Sequence, residues 1–94
     1  MDLQEIFEKH DDEYLKFDQI DNPPSKRPDL CAFLLLDKLV PSTEDIITAS
    51  EHDEFFLSID CNKLSEIATE NDIIYLIRCG IRYDSNNECL AMFS

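Results

Sequence analysis

The chain has 94 residues, and its 21 Asp and Glu against 8 Lys and Arg give it a formal charge of −13. That length fits one domain, 1–94; the excess of acid argues against direct binding to nucleic acid or to an anionic membrane. The longest apolar run, residues 31–36, is far too short for a membrane span.

The apolar share is 44%, with six Phe and three Tyr. A disordered acidic tail is poor in both, so the chain is expected to fold. Its first residues, Met1-Asp2-Leu3-Gln4-Glu5, are acidic where a secretory signal is basic, so the expected location is cytoplasmic. Cys31, Cys61, Cys79 and Cys89 form no Cys-x-x-Cys pair and read as buried thiols rather than a zinc site.

Leu3, Ile6, Phe7, His10, Tyr14 and Phe17 recur at spacings of three and four, which predicts one amphipathic helix over this stretch. Residues 21–28 hold three prolines and read as a linker between the first and second helices. Pro28 suits the first turn of a helix over 29–40, apolar on most sides and expected at the centre of the core. Residues 46–49 and 55–59 read as two strands of a hairpin, although Ser42-Thr43-Glu44-Asp45 also resembles a helix start.

Asp60 then caps a short helix with Leu64, Ile67 and Ala68. Thr69, with Asp72 three residues on, caps another that carries Ile73, Ile74, Leu76 and Ile77. Gly80 stands just past that helix as its left-handed terminator. Residues 81–84 and 88–93 flank a polar turn and read as a second hairpin. The expected fold class is α+β: a single two-layer domain in the order ααββααββ, with helices packed on one face of a small antiparallel sheet built from two hairpins.

The stretches Arg27-Pro28-Asp29-Leu30, Glu51-His52-Asp53-Glu54 and Arg78-Cys79-Gly80-Ile81-Arg82-Tyr83-Asp84 look like those of small uncharacterised acidic proteins encoded by phages and prophages. The resemblance covers most of the chain after residue 27. It implies a mobile-element origin and carries no activity with it.

Glu51-His52-Asp53-Glu54 offers an imidazole and three carboxylates, with His52 and Asp53 the ligands if a metal binds. Consecutive residues of an extended chain point to opposite faces, so a solvated turn is the favoured reading. His10 falls on the apolar stripe and reads as a satisfied, half-buried histidine. Cys79 lies between Arg78 and Arg82, yet a cysteine at the end of an apolar helix is more often packed than reactive. One glycine cannot build a phosphate loop. No catalytic residue and no cofactor is assigned, and the protein is not expected to be an enzyme.

Residues 1–21 contain eight acids and two lysines, and residues 44–60 contain six acids and no Lys or Arg. At about 1.7 Å of duplex axis per charge, the net charge matches about 22 Å of DNA. The leading expectation is therefore a non-enzymatic module that engages a basic protein surface, such as that of a nucleic-acid-binding host protein, by mimicking nucleic-acid charge. Its face would comprise Glu8, Asp11, Asp12, Glu13, Asp18, Glu44, Asp45, Glu51, Asp53 and Glu54. The alternatives are a structural or regulatory protein that self-associates and a metal-binding protein with a site around His52.

Overall fold

The computed structural model describes residues 2–51 and 53–93, and for Thr48, Ala49 and Glu51 it describes the backbone. The fold is α+β. Helix α1 (Leu3–Lys9) begins at Asp2, whose carboxylate accepts from the Glu5 amide at 3.3 Å. It does not run on to Phe17 as its periodicity predicts. After Lys9 the chain makes two separate 3-10 turns, Asp11–Glu13 and Phe17–Gln19. A continuous helix would place Asp11 and Asp12 three and four residues after Glu8, and like charges at those spacings repel. The stripe still faces inward: Leu3 and Phe7 are buried, and Ile6, Tyr14, Phe17 and Ile20 pack against the core.

Helix α2 (Pro28–Leu39) carries Pro28 in its first turn. It buries Cys31, Ala32 and Leu36 and leaves Leu30 and Leu34 exposed, so it lies over the core rather than at its centre. Strands β1 (Ile47–Glu51) and β2 (Glu54–Leu57) pair antiparallel, with a bulge between Ile47 and Ala49. The Ser42–Asp45 stretch thus leads into a strand rather than a helix. Helix α3 (Cys61–Ile67) is capped by Asp60, which accepts from the Asn62 and Lys63 amides. Helix α4 (Glu70–Arg78) opens with a reciprocal cap: Thr69 N donates to the Asp72 carboxylate at 2.9 Å, and Asp72 N donates to the Thr69 hydroxyl at 3.2 Å. Gly80 follows it at φ 97°.

Strands β3 (Ile81–Asp84) and β4 (Cys89–Phe93) complete a sheet of order β1-β2-β4-β3 among the described residues, with every neighbouring pair antiparallel. The element order differs from the expected one by the two 3-10 turns between α1 and α2. Alternation along the strands sends Leu57, Ile81, Leu90 and Met92 into one core with Leu36, Leu64, Ile73, Leu76 and Ile77. Burying each such side chain contributes about 1.5–3 kcal/mol. Arg82, Glu54 and Phe93 alternate with these core residues. The Arg82 guanidinium stacks 4.3 Å from the centre of the Phe93 ring and pairs with Glu54.

Candidate functional site

The ten carboxylates expected to form one face divide into two groups. Glu8, Asp11, Asp12, Glu13 and Asp18 belong to the N-terminal segment, whose helix α1 packs on α4 and on the edge strand β3. Glu44 and Asp45 are exposed where the chain enters β1, the opposite edge, and Glu51, Asp53 and Glu54 lie along the β1–β2 hairpin. Three inter-strand spacings, about 14 Å, separate the two edges. The Glu51 side chain and all of His52 lie outside the described residues, and so does a metal site around His52.

Two of the acids are held by the chain's own arginines. Glu54 pairs with Arg82. Glu13 accepts from Arg78 Nε at 2.9 Å, and that hydrogen bond holds its carboxyl below the usual value. At the other end of α4, His10 Nε2 lies 2.7 Å and Lys9 Nζ 3.5 Å from the same oxygen of Glu70. The His10 contact is the main cause of a lowered Glu70 carboxyl. Leu15 N also donates to Ile77 O at 3.2 Å. The N-terminal segment is therefore fastened along α4 by contacts of opposite charge at both ends of that helix. His10 is the half-buried, satisfied histidine of the sequence reading.

This fastening leaves a cleft of about 400 Å³ between the N-terminal segment and β3. Its walls include Phe7, Tyr14 and Tyr83, and its rim carries Glu8, Asp11 and Gln4. Phe7 and Tyr83 stand with ring centres 6.2 Å apart. Gln4 Nε2 donates to Glu8 Oε1 at 3.3 Å. Among the described residues, neither Glu8 nor Asp11 is paired with a cation. Burial pushes the Tyr83 phenol up, so it stays neutral at physiological pH. Sequence reasoning picked out Glu8 and Asp11. It placed Phe7 and Tyr14 on a core stripe and Tyr83 in a strand, and so missed the aromatic walls. The signal that could have found them is polar rims beside aromatics in both segments.

A second groove, of about 710 Å³, lies where the 3-10 turns, α2 and the sheet meet. Leu15, Phe33, Ile47, Phe55, Met92 and Phe93 line it, and Leu15, Ile47 and Phe93 are among the exposed large apolar residues. Cys79 lies at its base, where burial and then the nearby Cys31 push the thiol up to about 12. That thiol stays protonated and is a poor nucleophile despite its flanking arginines. Cys31 itself donates to Ser25 O at 3.3 Å. Among the described residues, no group of three or more His, Cys, Asp and Glu could hold a metal ion. Among the described residues, no helix is long and apolar enough to cross a membrane.

Compared with protein-family models, with curated proteins and with solved structures, the chain matches none.

Proposed function

We propose that the protein is a non-enzymatic acidic module, encoded by a phage or prophage and acting in the cytoplasm, which binds a basic surface of a host protein in place of nucleic acid. The observation that supports this most is the state of its carboxylates. Among the described acids, Glu13, Glu54 and Glu70 pair with Lys, Arg or His. Glu8, Asp11, Asp12, Asp18, Glu44 and Asp45 remain exposed and are paired with no cation. Their field steers a cationic partner toward the molecule and weakens as salt rises. The helices form one layer and the sheet the other in this reading, so acid is presented from both sheet edges.

The test is capture from a bacterial lysate over a salt series, with duplex DNA as competitor. A captured DNA-binding protein should be released as salt rises and displaced by DNA. Capture indifferent to both would overturn the mimic. A second reading, self-association, is favoured by the apolar groove around Leu15, Ile47 and Phe93. The charge of −13 on each copy opposes it, and sedimentation of the purified protein should therefore show a monomer at low salt.

A further inference from the structure

We infer that the cleft between the N-terminal segment and β3 is an anchor pocket for an arginine side chain of the basic partner. This rests on the reading of the protein as an acidic binding module and names the place where the partner is gripped. Exposed carboxylates alone give a diffuse attraction. Here two of them, Glu8 and Asp11, stand on the rim of a cavity whose walls are aromatic.

The chemistry matches a guanidinium group point by point. Its flat face stacks on rings such as those of Phe7, Tyr14 and Tyr83. Its N–H fork can donate to two carboxylates at once, and an Arg–carboxylate contact is shorter and stronger than a neutral hydrogen bond. The aliphatic stem of the side chain covers apolar wall without leaving a polar atom unpaired. An ammonium group offers a point charge and no flat face, so lysine fits the same walls less well. A neutral apolar side chain would leave Glu8 and Asp11 partly desolvated with no partner, which costs free energy.

One of the molecule's own cations lines this pocket, and its charge is already engaged. Arg82 lines the cleft, but its guanidinium is held by Glu54 and stacked on Phe93. Arg78 is held by Glu13, and Lys9 lies beside Glu70. Arg82, Arg78 and Lys9 each face another acid, while Glu8 and Asp11 are paired with no cation among the described residues and are left for a partner. A second copy of this chain is a poor occupant, because it would bring another −13 to the rim.

The probe is a synthetic decapeptide of Gly and Ser with four arginines, compared with its lysine and its citrulline counterparts. Binding to the full chain is followed by amide chemical shifts and calorimetry at low salt. The arginine peptide should shift the amides of residues 7–11 and 83–85, and citrulline, which keeps the shape and loses the charge, should shift none. The double variant Glu8→Gln/Asp11→Asn should weaken binding about tenfold or more. The double variant Glu44→Gln/Asp45→Asn removes the same charge from the other sheet edge and should weaken it about twofold at most. All four positions are exposed, and circular dichroism checks that each variant folds. Equal weakening by the two double variants would overturn the pocket and leave the acidic-module reading standing. A lysine peptide binding as tightly as the arginine one would overturn the assignment to guanidinium. No binding of any basic peptide to the wild-type chain would overturn both the pocket and the module.

Discussion

Leu15 is 62% exposed and holds φ at 63°, a conformation that an L-residue with a bulky side chain rarely adopts. What keeps it there is position: its amide donates to Ile77 O, and its Cδ2 lies where a Cβ on Gly80 would meet it at 3.0 Å. The left-handed conformation costs an L-residue about 1–2 kcal/mol, and asparagine relieves part of that through its short polar side chain. Leu15→Asn should therefore raise stability by about 0.5–1 kcal/mol in denaturant melts. A loss instead would mean that Leu15 contributes more by packing than its exposure implies. Gly80 has the opposite sign. At φ 97° it is strained by any Cβ, and Gly80→Ala should cost about 1–2 kcal/mol. Most of that cost should persist when Leu15 is replaced, because the backbone part of the strain does not depend on the neighbour.

At the scale of elements, α4 is the spine to which the N-terminal segment is tied, and the ties are acid-sensitive. The carboxyls of Glu13 and Glu70 titrate below their usual 4.5 because Arg78 and His10 favour the ionised form. Folded values below the unfolded ones place this stabilisation fully above pH 4.5, and it is lost as pH falls through the folded values. Asp84 behaves alike, held low first by the Asn87 side chain. Amides of residues 3–20 should lose hydrogen-exchange protection on acidification before those of β2 and β4 do. Simultaneous loss everywhere would show that the segment is not a separate unit.

The same ties explain what could be read from the chain. The Thr69–Asp72 cap and the Gly80 terminator are local, set by residues within four of one another, and both were legible. The break in the first helix was not: the repulsion of Glu8 by Asp11 and Asp12 is local, but the contacts that hold the broken form in place, to Glu70 and Arg78, lie 60 and 65 residues away in sequence. Glu8 and Asp11 could be nominated from charge alone. Their cleft could not, since its walls come from positions 7, 14 and 83, which only the packing of α1 against β3 brings together.

For the whole molecule, thirteen net negative charges sit on a body 29 × 26 × 25 Å across. At about 0.01 M salt the screening length is about 30 Å, so every charge acts on every other; at about 0.1 M it is about 10 Å, and only neighbours interact. Self-repulsion of the folded state thus fades between these concentrations, while the short, partly buried Arg78–Glu13 pair is screened less. The melting temperature should rise with added NaCl over this window, and a gain of about 1 kcal/mol would read as about 4–8 °C for a domain of this length. Affinity for the proposed basic partner should fall over the same window, because the field that strains the fold would also be the one that attracts such a partner. The two opposite responses to one variable are the signature of charge held for binding. If the melting temperature instead falls as salt is added, then ion pairing within the fold outweighs the repulsion, and the excess acid is not a stored field that a partner can use.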